Sequence, residues 1–336
     1  MTDGVTPTVP LAPTESATRL PARLTARPVN RGRGPATRPR RRSSGASLLG
    51  RRSWVFLVLP GLFLAASALY PFAQLIRMSL SNVGAENIIG HWPFTGTANF
   101  HAVMSSAAFW QSVRTSAIFT SVVLVGDLFF GFVTALWLMQ PVRGAGLAQS
   151  LMILAWALPP IVTGTAWKFL LQPDGFINTI LHPLGFGTIE WLASSKIALW
   201  SLIGVVGWAS VPFCAMVIKA GLMGIPRDTV EASRVDGASD GQVMLRIILP
   251  QLRSLLATLA VLIVVYGFGG SFAFIFVVTE GGPGTATTTL PYLGYTQAFT
   301  DFDLGIGAAI AVISMVFVGL LALGYLRASG KEERLT

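Results

Sequence analysis

The sequence predicts an all-α integral membrane protein of six transmembrane helices preceded by a disordered basic tail. Three observations predict it: a shortage of charge, six apolar runs of spanning length, and basic residues gathered on one side of those runs. Of the 336 residues, 52% are hydrophobic and only 12% charged, against about 25% charged in an ordinary soluble domain. A lipid-embedded bundle needs no charged shell around its middle, which accounts for the shortage.

A spanning helix needs about 20 apolar residues. The runs Trp54–Ile76, Ala117–Met139, Ala148–Leu170, Ala198–Ile218, Leu255–Val278 and Leu304–Tyr325 qualify. Lipid offers the backbone no hydrogen bonds, so such runs are helices. A transmembrane barrel would show short alternating strands instead.

Orientation follows from the loops. Residues 1–52 hold 11 of the 24 basic residues, all Arg. Arg143, the loop 219–254 (Lys219, Arg227, Arg234, Arg246, Arg253) and the C-terminal tail (Arg327, Lys331, Arg334) fall on the same side. The other side has Arg77, Arg114, Lys168 and Lys196, and its last loop carries Glu280, Asp301 and Asp303. Positive residues stay in the cytoplasm, so both termini are expected on the cytoplasmic side of a cell membrane.

Two domains result. Residues 1–52, rich in Arg, Pro, Ser and Thr with only Asp3 and Glu15 as acids, bury too little apolar surface to offset ordering entropy and read as a disordered cytoplasmic tail. The run Arg38, Arg40, Arg41, Arg42 has the charge for nucleic acid. An apolar span follows at once, so membrane lipid headgroups, not nucleic acid, are its expected contact. Residues 53–336 form the membrane domain. Ala66-Ser67-Ala68 resembles a signal-peptidase site, but the apolar run continues past it, so the first span is expected to stay attached. The lone cysteine, Cys214, reads as a small packing residue, and His91, His101 and His182 lack metal-ligand spacing. Pro60, Pro159, Pro160, Pro212 and the cluster Gly267, Gly269, Gly270 interrupt spans. They fit either a cavity or close helix packing.

The loop 219–254 is the most informative segment. Pro226 can open a helix, Gly237 can end it in a left-handed cap, and Ser239 with Gln242 offers a capping box for a second helix. That second helix runs through Val243, Met244, Ile247 and Ile248 toward Pro250. Arg227 and Glu231 at i,i+4, and Glu231 and Arg234 at i,i+3, allow charge pairs on the first helix. The product is a rigid knob, either a solvated helix with its charges self-satisfied or a docking element for a soluble partner.

The segment Glu231-Ala232-Ser233, then Gly237, then Ile247-Ile248-Leu249-Pro250 is similar to the EAA loop of ABC-importer permeases, with Ser233 for the usual second alanine. Tyr70-Pro71, Asn99-Phe100 through Phe109-Trp110, Trp156 to Pro160, Gly281-Gly282-Pro283-Gly284 and Phe302 to Gly305 extend the likeness over residues 54–327. Together they resemble the carbohydrate-uptake branch, that of the maltose-system F and glycerol-phosphate-system A subunits. The resemblance implies a type I importer permease, half of a sugar or oligosaccharide pathway. Its partners would be a second permease of similar fold, an ATP-binding cassette ATPase dimer and an extracytoplasmic binding protein docking on loops 77–112 and 279–303. It implies that Glu231, Ala232, Ser233, Asp236, Gly237, Leu249 and Pro250 couple this chain to the ATPase. ATP and Mg would sit on the partner ATPase, with no cofactor on this chain.

A sugar site needs aromatic platforms and neutral hydroxyl or amide groups. Trp156, Trp208, Ser210, Tyr266, Phe268 and Ser271 supply that chemistry, although aromatics in spans usually pack and serines usually bond to backbone. The resemblance singles out Trp156, Ser210, Phe268 and Ser271 as sugar-facing. Asp127, mid-span, costs about 2.5–3.5 kcal/mol to insert, which predicts burial against a partner or a wet cavity. No basic residue in another span is an obvious mate; a neighbouring helix, a second subunit or a transport role remain open for it. No phosphate loop exists, since Gly330-Lys331 lacks the flanking residues, so the chain does not hydrolyse ATP alone. A stand-alone ion-coupled transporter using Asp127 is the rival class, and it leaves the EAA-like loop unexplained. A permease for a non-sugar solute is the rival within the class.

Overall fold

In the computed structural model, residues 53–332 are described; the tail 1–52 and residues 333–336 lie outside the described residues. The described chain is helical. α1 (Ser53–Ser79) is followed by the short α2 (Ala98–Ser105), the long α3 (Ala107–Leu138), α4 (Ala145–Ala157), α5 (Pro160–Leu170) and the short α6 (Phe176–Leu181). Next come α7 (Ala198–Met223) and α8 (Arg227–Val235). α9 (Asp240–Thr279) is a 40-residue helix. It is followed by α10 (Leu290–Tyr295) and α11 (Leu304–Glu332).

α3 and α7 form the central pair. Lipid tails are as apolar as leucine, so helices in a membrane associate through close packing, and small residues allow it. Gly131 of α3 does so here: a Cβ at that position would lie 2.8 Å from the Cys214 Cβ of α7. The buried cysteine is thus the packing residue expected of it. Phe119 and Val123 of α3, Leu202 and Val206 of α7, and Ile263, Phe274 and Ile275 of α9 fill the core around this contact. A second cluster (Ala135, Ile218, Leu222, Leu252, Leu259) joins α3, α7 and α9 at the end that carries α8. At the opposite end, Val103, Phe109, Leu290, Ala309 and Ile310 join α2, α3, α10 and α11. There the Leu290 amide donates to Ser116 Oγ at 2.8 Å.

Two expectations change. The third apolar run, Ala148–Leu170, is not one helix: α4 and α5 meet at a bend of 103°. Pro159 and Pro160 lack N–H donors, and a residue before proline is driven to extended backbone; Leu158 accordingly has ψ 137°. Among the described residues, four helices are long and apolar enough to cross a membrane, or five if the bent pair is one span, and α11 contributes the shorter apolar stretch Leu304–Leu320. The fifth run does not begin afresh after Pro250. α9 continues through Pro250 because a wider π turn at Met244–Ile248 precedes it, in the stretch where a proline ring would otherwise crowd the preceding carbonyl. The glycine cluster lies in a second π turn, Tyr266–Gly270, and Gly267 packs against Thr120 of α3, where a Cβ would come within 3.0 Å.

Candidate functional site

The loop between α7 and α9 is a built joint. Pro226, at φ −60° and ψ 128°, stands just before α8. Asp236 caps its other end, and Gly237 follows at φ +84°. The Gly237 amide donates to the Arg234 carbonyl at 3.1 Å and the Ala238 amide to the Ser233 carbonyl at 3.0 Å, the bond pair of a Schellman motif. Ser239 then starts α9 with a reciprocal box: the Gln242 amide donates to Ser239 Oγ at 3.4 Å and the Ser239 amide to Gln242 Oε1 at 2.9 Å. Ile225 and Ile248 pack on Ile218, Leu222 and Leu252, which fixes the joint to the ends of α7 and α9.

Among the described residues, the pairs of Glu231 with Arg227 and Arg234 that the spacing allows do not form. Arg234 Nη2 instead reaches across the bend to Asp240 Oδ1 at 2.9 Å, because the Gly237 turn brings the first residue of α9 within its reach. Glu231 borders a cleft of about 630 Å³ with Gln140, Arg227, Arg234 and Met244. Glu231, Ala232, Asp236, Gly237 and Pro250 are exposed, and Ser233 and Leu249 are half-buried. The Ser233 hydroxyl donates to the Val230 carbonyl at 2.7 Å, so this departure from alanine is absorbed within the helix. Val235, which no sequence motif singled out, is 88% exposed at the tip of the knob.

Within the bundle, Asp127 is 1% exposed at the α3–α7 contact. Its mate is Ser210 of α7, whose hydroxyl lies 2.9 Å from Asp127 Oδ1 and 2.8 Å from the Val206 carbonyl. Among the described residues, Asp127 Oδ2 has no hydrogen-bond partner. Asp127 borders two cavities. One, of about 590 Å³, is lined by Trp156, Pro159, Pro160, Ser210, Phe213 and Tyr266. Trp156 stacks on Phe213 there, with centroids 5.6 Å apart and planes 21° apart. The other, of about 640 Å³, has Gly126, Phe130, Leu151, Gly207 and Trp208 in its walls.

The chain therefore brings Trp156, Ser210 and Asp127 together but not Phe268 and Ser271. Phe268 faces a separate apolar cavity of about 690 Å³ beside Leu75 and Tyr295, and meets Phe317 at 5.0 Å. Ser271 is buried, and its hydroxyl donates to the Gly267 carbonyl at 2.8 Å. Phe213 was missed in the sequence; its place three residues after Ser210, on the same helix face, was the signal that could have found it.

A family profile described as "Binding-protein-dependent transport system inner membrane component" matches residues 127–330. The chain belongs to this family. A probable ABC transporter permease of Sinorhizobium fredii, y4oQ, is 38% identical over 226 residues, covering 67% of this chain and 72% of the relative. The trehalose/maltose transport system permease protein MalF of Thermococcus litoralis is 31% identical over 236 residues, 70% of this chain and 79% of the relative. A bacterial ABC transporter involved in importing the acidic polysaccharide alginate shares the fold, with a TM-score of 0.73 at 19% identity over 85% of this chain and 98% of that one. The chain is thus an ABC-importer permease, a multi-pass membrane subunit.

The end of this permease opposite the joint is pinned by polar contacts. Lys168 of α5 and Glu280, just after α9, form an ion pair at 2.8 Å. The Asn99 amide donates to the Ser79 and Ser81 carbonyls at 3.0 and 2.9 Å, and the Gly305 amide to Val83 at 3.0 Å. The segments 77–112 and 279–303 therefore meet as one ordered surface through the bridge between Gly84 and Asp303.

Proposed function

We propose that this permease supplies half of a membrane pathway through which a sugar or oligosaccharide enters the cell, completed by a second permease of similar fold. Two ATPase subunits carrying ATP and Mg would grip the two permeases from the cytoplasm, and an extracytoplasmic binding protein would deliver solute to segments 77–112 and 279–303. Six spans with both termini inside fit the basic residues on the side of α8. In this reading α4 and α5 together make one broken span, of the kind that lines a cavity.

The observation that carries the proposal is the joint. A 9-residue helix capped at its end, exposed along the face that bears Glu231 and Ala232, and fixed to the ends of α7 and α9, is shaped to receive force from outside the chain and pass it to two spans. Closure of the ATPase pair would bring two such joints together and open the pathway outward. A sugar is supported by the named substrates of relatives and by the Trp156–Phe213 platform beside Ser210.

The test replaces Glu231 by Lys in the assembled complex. Assembly should persist, while ATP-driven uptake of solute falls at least tenfold and ATP hydrolysis no longer responds to loaded binding protein. Uptake and stimulation at the unmodified level would reject the joint as the coupling element.

A further inference from the structure

The described spans bury one carboxylate, and the mechanism above gives it no task beyond bonding Ser210. Among the described residues, Asp127 Oδ2 is an unpartnered acceptor in a side chain that is 1% exposed. An acceptor left in this state is destabilising unless something donates to it. Asp127 lies in the wall of both cavities that flank the α3–α7 contact, and among the described residues no Lys, Arg or His lines either one. Nearby, Trp156 is half exposed, with its ring held by Phe213. The wall thus offers an aromatic face, a hydroxyl and a carboxyl group, and no described cation to balance an anion.

We propose that Asp127 makes this half of the pathway charge-selective: its free oxygen accepts a hydrogen bond from a hydroxyl or ammonium group, and its charge turns away anionic sugars. The solute class is then neutral or amino sugars, excluding uronates, sulfonates and phosphate esters. This rests on the reading of the chain as a sugar permease and narrows it. Relatives differ in this respect: one is named for trehalose and maltose, another for sn-glycerol 3-phosphate. Two unit charges about 6 Å apart at an effective dielectric of about 20 repel by roughly a hundredfold in local concentration. A single carboxylate is therefore strong enough to sort solutes by sign.

The test uses the assembled complex in membrane vesicles, with Cys214→Ala removing the native thiol and Ala157→Cys placing a reporter in the cavity wall. Two thiol reagents of similar size are compared, cationic methanethiosulfonate ethylammonium and anionic methanethiosulfonate ethylsulfonate. Each rate is normalised to a cysteine at the exposed Ile89. The cation-to-anion ratio is expected to be at least tenfold, to persist in Asp127→Glu, and to fall toward one in Asp127→Asn. A ratio near one with Asp127 intact overturns the proposal without any change at that position; a cation from the second permease would produce this result. A ratio unchanged in Asp127→Asn also overturns it, as does failure of both reagents to reach the reporter. The reagents sense charge without ATP, so this failure is distinct from failure of the permease reading, which would appear as uptake that ignores ATP.

Discussion

Gly237 sits at φ +84°, a conformation that strains an L side chain by roughly 1–2 kcal/mol. Nothing crowds the position, so Gly237→Ala should fold and carry only that strain. The expected result is a lower midpoint for thermal unfolding of the purified complex and weaker coupling of hydrolysis to uptake, with Gly237→Asn milder than Ala because Asn tolerates the left-handed region. Equal stability of the Ala variant would show that the bend does not need this cap. The cap was legible in the sequence because capping is local: Gly237, Ser239 and Gln242 act on backbone within three or four residues. Asp127 was legible only as an anomaly. Its partner Ser210 lies 83 residues away, and no local pattern encodes that pairing. The Arg234–Asp240 pair was missed for a related reason. Helical spacing allowed Glu231 as the partner of Arg234, whereas the turn at Gly237 brought Asp240 within reach.

Among the elements, α3 and α7 depend on a missing side chain. A methyl group at Gly131 would collide with Cys214, and the backbone behind it at Ala215 leaves little room to yield. Overpacking of this kind typically costs about 1–3 kcal/mol. Gly131→Ala is expected to lower the thermal midpoint of the complex, and Cys214→Gly in the same chain to recover part of the loss; a double variant no better than the single one would place the strain elsewhere. The bend between α4 and α5 shows where hydropathy alone falls short. The run Ala148–Leu170 is long and apolar enough to read as one span, and the two prolines were visible. Hydropathy does not say whether a proline pair bends a helix gently or by 103°. Conversely, Pro250 looked like a stop and is not one, because a π turn upstream accommodates it.

For the whole molecule, the bent pair decides the topology. If α4 and α5 together cross the membrane, three crossings separate Ile89 from Val235 and the two residues lie on opposite sides. If the pair is re-entrant, two crossings separate them and they lie on the same side. With Cys214→Ala as background, Ile89→Cys should react with an impermeant maleimide from outside intact cells, and Val235→Cys only after permeabilisation. Labelling of both from outside would remove the six-span arrangement and move the joint away from the cytoplasm. From Gly61 to Ala73 the side chains of α1 are exposed, a surface suited to lipid or the second permease. The family was readable from the spacing of Glu231, Gly237 and Pro250, since a long fixed pattern survives without any knowledge of contacts. The cavity around Asp127 was not, because its walls come from α3, α4, α5, α7 and α9 and exist only when these pack.

The central claim is that solute flux through this chain is driven by a separate ATPase acting on the α8 joint. The most direct measurement is uptake by the reconstituted complex with binding protein and solute present, ATP withheld from the lumen on the α8 side, and proton and sodium gradients imposed. No accumulation above the equilibrated level until ATP is supplied is the expected result. Accumulation driven by either gradient in the absence of ATP would contradict the account.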